Sequence, residues 1–437
     1  MLEKLHEHIN QKFSFLKEKK LLIAISGGVD SVVLTHLLHQ LKFDISLAHC
    51  NFNLRGLESD KDEVFVKELG IKLNIETFTV SFKTDDYATS NKVSTQVAAR
   101  ELRYDWFKEL TKKHQFDFVL TAHHLDDNLE TFIINVTRGT GLEGLTGIPE
   151  INNTIVRPLL IFSRDEIERY ATENTIDWRE DISNQSNKYL RNKIRNQVVP
   201  ILKEINPSIL ENFQKTSENL QESQQIIDDS IAGFKKKVIE ETENGNLKID
   251  ISKVLKTNDL KAYVYHLLKE FGFTAWNDVT NLLTAQSGKE IVSKTHRLLK
   301  DRDFFIVSEI KKGNTEDVYV IDEETKEVKN PIHLKISTTS KIENENKSTI
   351  YLDKNKISFP LTIRKWQYGD FFYPKGMQGK KKVSKYFKDE KFSLLDKENT
   401  WLLCSKKNEI IWVIGHRQDN RFLVNKNKTT LLRIELC

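Results

Sequence analysis

The apolar positions of this 437-residue chain change period several times along its length. Leu21 to Ile25 is an unbroken apolar run, too short for a helix, and predicts a strand covered on both faces. From Val32 to Leu41 the spacing becomes helical. Ile45–Asn51 predicts a second strand and Ile75–Val80 a third. Strand, helix and strand within about 30 residues make a βαβ unit with a right-handed crossover. Ser59-Asp60 opens a helix whose apolar face holds Val64, Phe65 and Leu69, and Ser94–Phe107 is helical. Another strand ends at Thr121, a helix begins near Asp126, and Ser163-Arg-Asp165-Glu166 starts one more. From Asn206 to about Ile239 the pattern is helical, polar and lightly periodic. Asp259–Phe271 is helical, and Glu290–Ser293 with Asp303–Val307 reads as a hairpin-like end. Short strands then recur at 361–365, 400–404, 409–414 and 429–435. The expected architecture is an α/β, Rossmann-like parallel sheet over 1–215 and a small, mainly helical middle domain over 216–310. A charged linker over 311–348 and a small β-rich domain over 349–437 complete it.

Composition narrows the partners. The net charge is only +4, so a nucleic-acid surface must be a local patch rather than a global field. Cys50, Cys404 and Cys437 are too scattered for a disulfide framework, and no Cys-x-x-Cys is present for zinc or an iron–sulfur cluster. A reducing cytoplasm is the expected setting. Met1–Lys20 is highly charged and the 21–25 run is short, so neither reads as a signal or membrane segment.

Two stretches carry dense chemistry. Ser26-Gly27-Gly28-Val29-Asp30-Ser31 joins the first strand directly to a helix. Free N–H groups at a helix start, and glycines that let a backbone approach closely, make an anion site. No Gly-Lys-Ser/Thr closes it, and no Gly-x-Gly-x-x-Gly is present. It resembles the pyrophosphate loop of the N-type ATP pyrophosphatases (PP-loop enzymes). His49, Asn51 and Arg55 lie past the second strand's carboxyl end, where open α/β sheets bind ligands. Arg100, Arg103, Tyr104 and Phe107 share helical spacing, either beside phosphates or as a solvent-facing basic stripe. In the second stretch, His123-His124-Leu-Asp126-Asp127-Asn-Leu-Glu130, Asp127 and Glu130 fall on one helical face. Like charges so placed are costly unless a cation lies between them, Mg²⁺ or an ammonium group. A solvated helix start and a metal site on His123 and His124 are the competing readings. A loop with four glycines between 139 and 147, a polar stretch Asp177–Asn184, and Arg191 with Arg195 at i, i+4 follow.

Taken in order, Ser-Gly-Gly-Val-Asp-Ser, His-x-Asn-x-x-Leu-Arg, Ala-Ala-Arg-x-x-Arg-Tyr, His-His-x-Asp-Asp-x-x-Glu-Thr, Arg-Gly-Thr-Gly-Leu-x-Gly-Leu, Glu-Asp-x-Ser-Asn and Arg-Asn-x-Ile-Arg resemble the bacterial tRNA(Ile)-lysidine synthetases. That resemblance implies ATP and Mg²⁺ as cofactors, and L-lysine and a CAU-anticodon tRNA(Ile) as partners, with a homodimer left open. It implies adenylation of C2 of the wobble cytidine and displacement of AMP by the lysine ε-amine. Ser26, Gly27, Gly28, Val29, Asp30, Ser31, His49 and Arg103 are then expected around ATP, with Asp30 near Mg²⁺. Asp127 and Glu130 are expected at the lysine ammonium, Arg103 and Arg195 beside the phosphates, and His123 near the adenylated base. The pattern departs from the family at Phe52 and Asn53, where relatives commonly carry His-Gly. Seven lysines between 375 and 391 include Lys380, Lys381, Lys382 and Lys385. With Tyr386 and Phe387 among them, they read either as solvated surface or as a tRNA contact in which lysines bind phosphate and a ring stacks a base. A thiolase-type PP-loop enzyme is the nearest alternative and lacks its paired Cys-x-x-Cys here. A glutaminase-linked ligase lacks its cysteine module, and a non-catalytic RNA binder does not account for Asp30, Asp127 and Glu130.

Overall fold

The computed structural model describes residues 1–180, 190–242, 244–310, 318–343, 346–424 and 430–437. Asp181, Ser183 and Asn184 of the polar motif, Thr429 of the last expected strand and parts of the 311–348 stretch lie outside the described residues. The chain forms two compact units, Met1–Asp229 and Ser230–Cys437.

In the first unit, α1 (Leu2–Lys12) precedes β1 (Lys20–Ala24), α2 (Val29–Gln40), β2 (Asp44–Asn51), α3 (Leu57–Leu73) and β3 (Thr77–Ser81). Then come α4 (Thr84–Asn91), α5 (Thr95–His114), β4 (Phe118–Leu120), α6 (Leu125–Arg138), α7 (Leu142–Leu145), β5 (Ile151–Asn152), β6 (Ile155–Val156) and α8 (Arg164–Glu173). After it, α9 (Leu190–Lys193), a π turn over Ile194–Val198, α10 (Val199–Ile205) and α11 (Ile209–Val238) follow, α11 running past residue 229.

The sheet order is β3-β2-β1-β4-β6-β5, parallel except for the β5–β6 edge. β1 is central because its side chains can be buried on both faces. Leu21 and Ile23 enter the core beneath α2 and α8, while Leu22 enters the opposite one with Phe107, Leu110 and Val119. β1 also lies between β2 and β4, the point at which strand order reverses, so its carboxyl end opens onto a crevice. The Rossmann-like expectation holds. A smaller core of Leu125, Leu129, Ile194, Val199 and Phe213 packs α6 against the 190–205 segment and α11. Gly147 makes the following loop possible. Its φ is +81°, and a Cβ there would lie 2.2 Å from the Asn128 Oδ1 that accepts the Ile148 N–H.

The second unit begins with a five-stranded antiparallel sheet beside the helices Leu260–Leu268 and Trp276–Asn281. The strand His296–Asp301 lies between the two expected hairpin arms. Its sequence, HRLLKD, hides it, since only two of its positions are apolar. Two four-stranded antiparallel sheets follow and share one core containing Ile336, Ile350, Ile363 and Trp412. Tyr319–Ile321 and Leu334–Thr339, inside the stretch read as a linker, pair with Leu361–Lys365 and Leu431–Leu436 in these sheets. Leu334 and Ile336 alternate with polar residues there, which suits a strand with one covered face. Among the described residues no helix is long and apolar enough to cross a membrane.

The start of α8 links fold to site. Ser163 Oγ accepts the Glu166 N–H at 3.2 Å, and Glu166 accepts the Ser163 N–H at 2.7 Å, which fixes where Arg164 emerges. Ser163→Ala should cost about 1 kcal/mol of unfolding free energy, read from urea denaturation of the full chain.

Candidate functional site

The loop at 26–31 is braced by its neighbours. Ser31 Oγ donates to Gly28 O at 3.0 Å, Ser31 Oγ accepts the Ser26 N–H, and Ser26 Oγ accepts the Gly28 N–H. His49 Nδ1 bonds Ile25 O at 3.0 Å from β2, and the Arg179 N–H donates to Gly27 O at 2.9 Å. Gly27 takes φ +93°, a conformation that side-chain-bearing residues rarely adopt. A cavity of about 570 Å³ lies over this loop. Ser26, Gly28, Val29, Asp30 and Ser31 line it together with Arg103, His123, Asp127 and Arg195. Gly27, His49 and Glu130 are absent from its wall. His49 is buried beneath the loop, and burial lowers its pKa, so the ring is neutral. Arg103 reaches the cavity with its guanidinium 5.2 Å from the Phe52 ring centre, while Arg100 stacks on Tyr104.

Asp30 is half-buried, and desolvation raises its pKa despite opposing pulls from His124 and Arg164. Arg164 Nη1 donates to Oδ2, whereas Oδ1 is buried with no hydrogen-bond partner, 3.8 Å from His124 Nε2. His124 is 3.4 Å from Asp127 and 3.7 Å from Asp126. Burial opposes its charge, yet Asp127 and the other aspartates raise its pKa. His123 turns elsewhere, bonding Thr121 Oγ1 at 2.9 Å, and burial pushes its pKa down to about 4. The two histidines thus serve different partners. No group of three or more His, Cys, Asp or Glu among the described residues is arranged to hold a metal ion by itself.

The carboxylate pair on α6 has its cation, supplied by the chain. Glu130 accepts Arg195 Nε at 2.6 Å and Arg191 Nε at 2.9 Å. Asp127 Oδ1 accepts Arg195 Nη2 at 2.8 Å and Arg191 Nη2 at 3.2 Å. Burial works against ionised Asp127, but His124, Arg191 and Arg195 hold its pKa below the usual range. Asp126 is engaged separately, by Lys203 Nζ at 2.8 Å and by the Arg164 N–H at 2.8 Å.

Several site residues are visible only in the fold. Arg164 appears in the sequence merely as part of a helix start. Arg179 binds Asp62 at 2.9 Å and Glu58 at 2.7 Å, which ties α3 to the segment whose N–H bonds Gly27 O. Cys50 lines the cavity, but burial pushes its thiol up to about 12, so it is no nucleophile at neutral pH.

The lysine cluster belongs to the second unit. Lys380, Lys382 and Lys385 are exposed; Lys381 bonds Asp389 at 2.8 Å and is largely covered. Tyr386 and Phe387 are 2% and 0% exposed, packed with Phe372, Val383 and Leu402, so the expectation that they stack a base is corrected. Val383, Tyr386 and Phe387 share the buried face of one short helix, Val383–Asp389.

Family models match three regions: a PP-loop domain over residues 1–202, a TilS substrate binding domain over 241–310 and a TilS substrate C-terminal domain over 361–436. The chain is 40% identical to the tRNA(Ile)-lysidine synthase of Parabacteroides distasonis, over 97% of each chain. It is 39% identical to that of Bacteroides thetaiotaomicron, over 96% of each. Among solved structures, the U34-tRNA thiolase NcsA from Methanococcus maripaludis matches with a TM-score of 0.42 and 20% identity, over 51% of this chain and 78% of that one.

Asp30 generates a pH prediction. Its folded pKa lies above the ordinary carboxylate value, so folding holds a proton that the unfolded chain releases. Stability is therefore lost as pH rises from the ordinary carboxylate range through the raised value. Asp30→Asn cannot ionise, and Arg164 keeps Glu168 as a partner at 2.6 Å. The variant should be more stable than the parent at pH 7.5, with the difference shrinking toward pH 4. Urea midpoints across that range check this, and a variant less stable at pH 7.5 contradicts it.

Proposed function

Because the chain belongs to the tRNA(Ile)-lysidine synthase family, we propose that it ligates L-lysine to C2 of the wobble cytidine of a CAU-anticodon tRNA(Ile), consuming ATP. The observation that carries this reading is one cavity bordered by both the Ser26–Ser31 loop and Asp127, whose partner Glu130 lies just behind. The pair lies outside the ATP loop, and two carboxylates so placed can hold an ammonium group.

In the first step the cytidine O2 attacks the α-phosphorus of ATP and pyrophosphate leaves. The loop N–H groups and the start of α2 take the phosphates. Arg103 and Arg195 offset the charge that develops on the departing pyrophosphate. The buried, unpartnered Asp30 Oδ1 fits Mg²⁺, which binds through one or two carboxylates plus substrate phosphates. Mg²⁺ would supply neutralisation of phosphate charge. In the second step the lysine ε-amine attacks C2 and AMP departs with the oxygen. Asp127 and Glu130 orient the amine, and a carboxylate of the pair accepts the proton it sheds. Neutral His123 lines the same cavity and can meet the adenylated base without adding charge. The exposed Lys380, Lys382 and Lys385 meet tRNA phosphates. A thiolase reading has little to stand on, since Cys50 is held protonated and no cluster motif is present.

Mass analysis of tRNA(Ile) incubated with protein, ATP and lysine should show a lysine adduct on the wobble cytidine; an unmodified base rejects the function. Asp127→Asn or Glu130→Gln should raise the KM for lysine at least about tenfold more than that for ATP, the scale of a lost charged hydrogen bond. An unchanged lysine dependence removes the pair from lysine binding. Replacing Lys380, Lys382 and Lys385 by alanine should weaken tRNA binding and lower the salt slope, log K against log salt, by about two to three. Filter binding at several salt concentrations reads this, and an unchanged slope returns the cluster to solvated surface.

A further inference from the structure

The carboxylate pair assigned to the lysine ammonium is already occupied by guanidinium groups. Every carboxylate oxygen of the pair accepts a bond. Asp127 Oδ1 takes both arginines, Asp127 Oδ2 takes the His124 N–H at 3.1 Å, Glu130 Oε1 takes Arg195, and Glu130 Oε2 takes both arginines. The side chains of Glu130 and Asp127 are 1% and 12% exposed, whereas those of Arg195 and Arg191 are 35% and 40% exposed. The route from solvent to the carboxylates therefore passes the guanidiniums. A third cation cannot join them without like-charge repulsion.

We infer that Arg195 is a positioning residue that couples the two small substrates: it covers Asp127 and Glu130 until nucleotide phosphates draw it off, so lysine binds tightly only after ATP. This rests on the reading of Asp127 and Glu130 as the lysine site.

Arg191 and Arg195 both line the loop's cavity, and three observations favour Arg195 as the one that moves. The negative field that raises its pKa includes Asp30 of the loop as well as Glu130 and Asp127. Both arginines bond the Asp127 and Glu130 side chains, but Arg191 also donates to the Asp127 carbonyl at 3.3 Å, which ties it to the α6 main chain. Arg195 also sits on the π turn Ile194–Val198, where the Val199 N–H reaches back to Ile194 O and Pro200 has no N–H to restore an α-type bond. Single π turns of this kind recur at functional sites.

Charge count gives the direction. Two carboxylates, Asp127 and Glu130, face two guanidiniums, Arg191 and Arg195, with His124 beside Asp127. A polyphosphate adds negative charge to a balanced cluster. Moving Arg195 onto it leaves the pair short of one cation, and the lysine ammonium fills that deficit. By linkage, lysine must tighten nucleotide binding by the same factor.

The test is calorimetric titration of the full chain with L-lysine, alone and with Mg²⁺ and α,β-methylene ATP, an analogue that cannot release pyrophosphate. For the parent, the analogue should tighten lysine binding about tenfold or more. Arg195→Gln should bind lysine tightly without the analogue and respond to it by less than about twofold, while Arg191→Gln should keep the response. Arg195→Lys, which retains charge but not the bidentate fork, should fall between, and covers the case in which Arg195→Gln does not fold. Equal lysine affinity in the parent with and without the analogue overturns the inference, as does full coupling in either Arg195 variant. Asp127→Asn separates the two readings. If it abolishes lysine binding while the parent shows no nucleotide effect, the coupling fails and the lysine site stands. If it leaves lysine binding intact, the site assignment itself fails.

Discussion

Two carboxylates one helical turn apart, both nearly sealed from water, are tolerable only with positive charge against them. In this chain that requirement organises the first unit. α6 begins just past the carboxyl end of β4, so Asp127 lines the crevice beside β1 and Glu130 lies behind it. Arg191 and Arg195 must meet them, and the small core of Leu125, Leu129, Ile194 and Val199 holds the 190–205 segment at the right distance. Removing one member of such a buried pairing typically costs about 3–5 kcal/mol, because the other charge stays behind. On the proposed reading of this pair as the lysine site, a cationic substrate then enters by exchange of one cation for another.

Asp30 shows the opposite bias on the other side of the same cavity. Burial raises its pKa, while Asp127 is held low by its cations. One carboxylate is under-compensated and the other saturated. A polyphosphate and its counter-ion relieve the first imbalance and disturb the second. The two sites are electrostatically joined before any substrate arrives, with Arg195 and His124 between them.

What the sequence reveals is what is local. The unbroken apolar run of β1, the glycine loop, and the i, i+3 carboxylates of α6 are each contained in a dozen residues, and each appears as expected. Arg164 and Arg179 were not legible, because their partners Asp30 and Asp62 are 134 and 117 residues distant and no periodicity links them. Tyr386 and Phe387 misled for another reason. Lysine density suggested exposure, yet Val383, Tyr386 and Phe387 already have the i, i+3, i+4 spacing of one buried face. Composition overrode a pattern that was present.

The departure at Phe52 and Asn53 changes the chemistry of the turn after β2. Asn53 takes φ +54°, a left-handed conformation that glycine enters freely and that asparagine tolerates better than most residues. Its amide then secures the turn, donating to Ser81 Oγ at 2.8 Å and to Phe82 O at 3.0 Å, while its own N–H donates to Asn51 Oδ1 at 3.0 Å. The chain thus makes a left-handed turn here without a glycine. Phe52 is what differs. It stacks on Phe82 and presents its ring to the Arg103 guanidinium in the cavity wall. A cation–π contact of this kind orients an arginine without consuming any of its N–H donors. Where an imidazole would bring its own hydrogen-bonding nitrogens, Phe52 brings none and acts only through Arg103.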